Sequence, residues 1–187
     1  MDLTMNLQNK EADFISACIK NEEWAQKMLY EEYYPKLYPV SIRYTKDSQE
    51  ALDVLHDGFL KIFKNIGKYK EGTNLEAWLK RIVINTAIDH YRKKSRTRTS
   101  DIEDAHDVCT LEADAVSQMN ANAILGAISE LPDQYRTIFN LFIIEGFSHQ
   151  EISDKLGINE STSRSNLAKA RKRLKKILHE KQIVTNA

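Results

Sequence analysis

Glycine and proline are scarce, six and three in 187 residues. A chain so poor in its two main breakers is predicted to be helical, and no stretch of it reads as a convincing strand. Cysteine is scarcer still. Cys18 and Cys109 cannot make a disulfide framework, and His106-x-x-Cys109 lacks the second pair a metal site needs. The longest apolar runs, such as Leu141-Phe142-Ile143-Ile144, fall far short of the roughly 18 residues of a membrane span. The start, Met1-Asp2-Leu3-Thr4, has no basic stretch followed by an apolar one, so no secretory leader is expected and a cytoplasmic location is the default. Net charge is absent too, with 27 basic side chains against 27 acidic. Also missing are a glycine-rich phosphate loop, a nucleophile elbow and a His-Glu-x-x-His pair. An enzyme is therefore not expected, and no cofactor.

The balance of charge hides a sharp segregation. Residues 1–98 carry 17 cations and 14 carboxylates, residues 99–119 six carboxylates and no cation, and residues 120–187 ten cations and seven carboxylates. Two mildly basic blocks are thus joined by an acidic tether. Arg92 to Arg98 holds five cations in seven residues. Such local charge governs electrostatic partners better than the total does. The expected architecture is all-α, with two small helical domains over residues 10–98 and 120–181 and a flexible linker over 99–119. A short helix within Val108–Met119 is allowed.

Residues 11–44 read as helical, with Pro35 and Pro39 expected to bend or interrupt them. Asp47 and Glu50 can cap the next helix, whose apolar face is Leu52, Leu55, Phe59, Ile62, Phe63 and Ile66. Asn65-Ile66-Gly67 is a stop, and Lys68 to Thr73 a loop. Thr73 and Glu76 read as a capping box for a helix running through Trp78, Leu79, Ile82 and Val83 into the basic run. Beyond the tether, Leu131-Pro132 opens a helix that Gly146 is placed to end.

The most informative stretch lies between Gly146 and Leu178. Ser148 and Glu151 make a capping box, so a short helix is predicted from His149, with Gly157 able to take the left-handed conformation that ends it. Asn159 can cap a longer helix from about Glu160 to Leu178. A short helix, a glycine turn and a longer helix make a helix-turn-helix, whose second helix fits the DNA major groove. Ser161, Thr162, Arg164, Ser165 and Asn166 are groove-sized donors at its start, and Lys169, Arg171 and Lys172 can reach bases or phosphates.

The run from Leu131-Pro132 through Glu145-Gly146-Phe147-Ser148, Glu151-Ile152, Leu156-Gly157-Ile158 and Ser161-Thr162 to Ala170-Arg171 resembles region 4 of bacterial sigma factors. The block Asp53-Val54-Leu55-His56-Asp57-Gly58-Phe59-Leu60-Lys61-Ile62-Phe63 is similar to the helix of region 2 that docks on core RNA polymerase. Trp78-Leu79, Ile82, Asn85-Thr86-Ala87-Ile88-Asp89 and Arg92 resemble its promoter −10 reader. Both blocks stand in order with no room for a region 3 domain, which is similar to the extracytoplasmic-function sigma factors. Ser163 departs from the branched apolar residue common in that family, Asn166 from a basic one.

The resemblance implies promoter recognition split over two modules. Asp53, Asp57, Phe59 and Lys61 would meet the clamp of the largest polymerase subunit, although Phe59 also falls on the core stripe. The loop Lys68–Asn74, with Tyr69 and Asn74, would hold a base flipped from the melted −10 element. Asn85 would read a base edge, unless it is a buried amide. Arg81, Arg92 and Lys93 would hold phosphates, with Lys94 beside them, while Trp78 is expected in the core. Arg164, Ser165 and Lys169 would read the −35 duplex, with Arg171 and Lys172 positioning it. Region 4 would also meet the polymerase flap. The tether would run toward the polymerase channels, as a mimic of nucleic acid or as a plain spacer. Two other readings stay open. One is a stand-alone dimeric helix-turn-helix regulator. The other is an interaction module for an inhibitory partner, which for this family would be an anti-sigma factor.

Overall fold

The computed structural model describes residues 2–97 and 121–181, and the acidic tether with its His106 and Cys109 lies outside them. Among the described residues there are eight α-helices and no strand. They are α1 (Asp2–Ile19), α2 (Glu23–Tyr44), α3 (Ser48–Asn65), α4 (Leu75–Thr97), α5 (Ala121–Ser129), α6 (Asp133–Phe139), α7 (His149–Leu156) and α8 (Glu160–Glu180). A 3-10 turn, Ile66–Lys68, follows α3, and a π turn, Asn140–Ile144, follows α6. The chain divides into two compact units. The first holds Met1–Ser41 and Gln49–Ala87, the second Ile42–Ser48 and Ile88–Ala187.

The first unit packs around α3. Of the predicted apolar face Leu55, Phe59, Ile62 and Ile66 are buried and Leu52 and Phe63 half-buried, and Val54 joins the core; Tyr30 of α2 lies against Phe59 and Val83 of α4 beside Gly58. The helical stretch over 11–44 is interrupted, but before α2 and not at its prolines. Asn21 takes a positive φ of 59° between α1 and α2, a conformation that asparagine tolerates better than most residues. Pro35 and Pro39, in contrast, do not interrupt α2. Both lie on its exposed side, where carbonyls deprived of an N–H partner stay open to water. The start of α4 also differs from expectation. Asn74, not Thr73, is the cap, its Oδ1 accepting from Ala77 N at 2.9 Å, while the Thr73 hydroxyl donates to Lys70 O.

Gly58 is a mid-helix glycine with a visible cause. A Cβ there would lie 3.1 Å from Cγ2 of the buried Val83 and 3.7 Å from its Cα. The absent side chain lets α3 and α4 approach.

In the second unit, Ile138 and Leu141 face Ile152 of α7 and Leu167, Ala170 and Leu174 of α8 in a shared core. Arg136, at 1% exposure, lies among them. Its Nη1 donates to Ser129 O at 2.9 Å and Leu131 O at 3.1 Å, and its Nη2 to Asp133 at 2.7 Å. Asp133 also pairs with Lys94 at 2.9 Å. Burial pushes the Asp133 carboxyl up, but Lys94 and Arg136 outweigh it and hold the group below the ordinary carboxylate range. That stabilisation is complete above the usual carboxylate range and is lost as pH falls through it. Arg43 of the same unit pairs with Glu145 at 3.0 Å, and its carbonyl accepts from Asn140 Nδ2.

Two expectations follow for stability in urea. Gly58→Ala gains about 0.5–1 kcal/mol of helix propensity but meets an overpacking cost of typically ~1–3 kcal/mol, so a net loss is expected. Adding Val83→Ala should recover part of it; simple additivity of the two losses would contradict the close approach. Arg136→Leu should cost about 3 kcal/mol, because it leaves two carbonyls unpaired and takes from Asp133 the buried one of its two cations.

Candidate functional site

The outward face of α3 is set by the same periodicity that buries its inner one. Asp53, His56, Asp57, Leu60 and Lys64 are exposed together on one face, Asp57, Leu60 and Lys64 each three or four residues beyond Asp53, Asp57 and Leu60 respectively. Leu60 is 67% exposed, an apolar side chain between carboxylates on one side and a lysine on the other. Lys61 is half-buried on the flank. Phe59 is not on this face. It is 3% exposed, and its ring lies 4.6 Å from that of Tyr30. The core alternative for Phe59 is the correct one, and Leu60 holds the surface position that the sequence reading gave to its neighbour. Tyr34 and Tyr38 of α2 stack with ring centroids 5.7 Å apart, both half-buried. The sequence reading passed over Leu60 and these tyrosines, though an i, i+3, i+4 count outward from Asp53 and Asp57 reaches Leu60.

Tyr69 is also withdrawn from the surface. It is 6% exposed, with its hydroxyl within 2.7 Å of Glu11 and 2.5 Å of Thr73 O and its ring edge-on to Trp78. Burial and the Glu11 bond push its hydroxyl pKa up. So held, it shapes the loop and offers no free face for stacking. The loop's exposed members are Lys70, Glu71, Gly72, Thr73 and Asn74, with Gly72 at φ 77°. Asn74 is reached by solvent, but its side chain caps α4.

On α4, Arg81, Asn85, Asp89 and Lys93 are exposed four residues apart, a polar stripe along one face. Asn85 is therefore not a buried amide. Arg92 is half-buried, and its Nη2 lies 3.5 Å from Asp154 O. Lys94 is engaged by Asp133.

The helix-turn-helix forms as the sequence predicts. Ser148 Oγ accepts from Glu151 N, and the Glu151 carboxylate accepts from Ser148 N at 2.8 Å. These bonds hold the Glu151 carboxyl below its usual range. Gly157 ends α7 at φ 69°, with its N–H on Ser153 O at 2.8 Å, and the Ser153 hydroxyl donates to Ile158 O at 2.6 Å. Asn159 stands at the cap position of α8 but makes no side-chain bond there.

Ser161, Arg164, Ser165 and Lys172 are exposed on α8, and Thr162, Lys169 and Arg171 are half-buried. Arg164 pairs with Glu160 one turn back, and the Ser165 hydroxyl bonds Thr162 O at 3.1 Å. Asn166 is the exception. At 6% exposure it faces the core, because position 166 shares the inner stripe with Ser163, Leu167 and Ala170. It cannot reach a groove that Arg164 and Ser165 face.

Comparison with known proteins fits this geometry. Residues 29–97 match the family model for Sigma-70 region 2, and residues 121–174 that for Sigma-70, region 4. The chain is 27% identical over 172 residues to the ECF RNA polymerase sigma factor SigM of Mycobacterium tuberculosis, covering 91% of this chain and 86% of the relative. It is 29% identical over 149 residues to the ECF RNA polymerase sigma factor SigM of Bacillus subtilis, covering 79% and 91% respectively. The RNA polymerase sigma-H factor of Pseudomonas aeruginosa is 27% identical, with 93% and 96% covered. Among solved structures, the sigma factor RpoE in complex with the anti-sigma factor NepR from Bartonella quintana is 25% identical. That likeness covers 82% of this chain and 96% of that one, with a TM-score of 0.49.

Proposed function

The chain belongs to the sigma-70 family, in the extracytoplasmic-function branch, and from that premise we propose which of its surfaces performs each step. It is a sigma factor, binding core RNA polymerase and directing promoter-specific initiation of transcription. The observation that carries this is the ordered pair of family regions, 29–97 and 121–174, the second spanning a helix-turn-helix whose reading helix turns Arg164 and Ser165 outward. It acts in the cytoplasm, beside polymerase and promoter, as a regulatory protein without catalysis of its own. No helix among the described residues is long and apolar enough to cross a membrane.

The exposed face of α3 is the surface for the polymerase clamp. Asp53 and Asp57 supply charge, Lys61 flanks them, and Leu60 supplies the apolar contact, a polar rim around an apolar centre. The exposed apolar side chains of the second unit, Leu125, Ile143 and Ile144, suit the flap. An anti-sigma factor covering the α3 face would block assembly.

The polar stripe on α4 reads the opened −10 element. Asn85 presents an amide that can pair with a base edge, and Arg81 and Lys93 flank it with cations for phosphates. The backbone of the loop at 70–74 holds the displaced base without help from the Tyr69 ring. The −35 duplex is read by α8, with Arg164 and Ser165 toward base edges and Ser161, Thr162, Lys169, Arg171 and Lys172 toward bases or phosphates.

Run-off transcription with core polymerase, the full chain and a pool of genomic fragments tests this. New starts should share a −35 and a −10 motif. Asn85→Ala should alter the −10 motif alone. Arg164→Ala should alter the −35 motif alone, losing about 1–3 kcal/mol of discrimination. Asp57→Ala should weaken assembly with polymerase and leave both motifs intact. A chain that retards duplex DNA by itself yet confers no start-site specificity would be a dimeric regulator instead.

A further inference from the structure

The inner face of α8 is unexpectedly polar where it matters most. Ser163 is fully buried in the first turn, on the stripe continued by Leu167 and Ala170. A hydroxyl in that position needs a partner, since a buried polar group left unpaired is costly. Its partner lies on another helix. His149, the first residue of α7, places Nδ1 2.9 Å from Ser163 Oγ. The same imidazole stacks on Phe142 of the π turn, with centroids 4.4 Å apart and planes at 24°. One ring is thus held on its face by the π turn and at its edge by the reading helix.

The other polar tie between α7 and this end of α8 is to the turn, through the Ser153 hydroxyl on Ile158 O, and not to the buried face of α8. Asn159 opens α8 without a side-chain bond to it. Asn166, the next polar residue on the buried stripe, has its Nδ2 without a hydrogen-bond partner. Arg164 and Ser165 follow Ser163 directly in the chain, so any roll of this first turn carries both with it.

We propose that His149 and Ser163 are positioning residues for −35 recognition, their bond and the Phe142 stack fixing the rotation of the first turn of α8 at which Arg164 and Ser165 meet the bases. This rests on the reading of α8 as the −35 helix. Neither residue needs to touch DNA.

The pair is also sensitive to protons. The charged groups acting on the imidazole are on α8: Arg164 and Arg171 oppose a proton on it, and Glu160 favours one. Phe142, from the π turn, is uncharged. Burial first, and Arg164 next, hold the imidazole pKa below its ordinary value. Above that value the ring is neutral and the clamp intact. As pH falls through the histidine range, a proton on the ring adds a cation at the N-terminus of α7, where the helix dipole disfavours it.

The test uses the full chain assembled with core polymerase, on a promoter library with a randomised −35 element and a randomised −10 element. His149→Ala and Ser163→Ala should each lower −35 base preference roughly tenfold and leave −10 preference unchanged. The double variant should be no worse than either alone. His149→Asn, which keeps a polar atom near the Nδ1 position but loses the Phe142 stack, should retain only part of the native preference, more than His149→Ala does. As pH falls below the ordinary histidine value of about 6.5, the native −35 preference should fall relative to the −10 preference, and that of His149→Asn should not. Unchanged −35 preference in His149→Ala, additive losses in the pair, or joint loss of both preferences would overturn the proposal. A native chain that gives no specific starts would overturn the sigma reading beneath it.

Discussion

A buried guanidinium organises the second unit. Removing a full charge from water costs several kcal/mol even after the protein relaxes, and Arg136 is 1% exposed. The cost is offset by fixed partners: two carbonyls at the end of α5 and the turn after it, and the Asp133 carboxylate at the start of α6. Those partners lie on the two sides of the short turn between α5 and α6, so the guanidinium ties the end of one helix to the start of the next. Helix α6 packs on α8, and α8 on α7. The cation thus fixes a helix against which α8 packs. Hydrophobic burial alone would hold these helices together, but it is indifferent to small rotations that a set of directed hydrogen bonds refuses.

Much of this was legible in the sequence, and the reason is locality. The Ser148–Glu151 box and the left-handed Gly157 are each written within a few residues and formed as read, and most of the apolar stripe of α3 did too. What escaped depended on neighbours far along the chain. Phe59, Tyr69 and Asn166 sit near the border between an inner and an outer face, and which flank is covered depends on where the next helix crosses. Gly58 has no meaning in α3 alone; Val83 supplies it. The tolerated prolines of α2 are the same lesson reversed, because their positions break a local rule whose penalty water removes. Asn85 could be read either way from its apolar neighbours, and only the placement of α4 turns it outward.

The three surfaces differ in physical kind. On α3 an exposed leucine sits between carboxylates and a lysine. On α8 cations surround a few short donors. The stripe on α4 sets one amide among two cations and a carboxylate. The proposed division of labour rests on these differences.

The stripe on α4 holds one residue that nucleic acid should resist. Asp89 stands between Asn85 and Lys93, a carboxylate in the path of a phosphate chain. A carboxylate on that face lowers the local positive charge, and with it the number of counterions that a random contact with DNA would release. A chromosome offers an enormous excess of wrong sites, and a strongly basic reader would be absorbed by them. For a sigma factor, a weaker grip on random DNA would leave more of the chain free to meet polymerase.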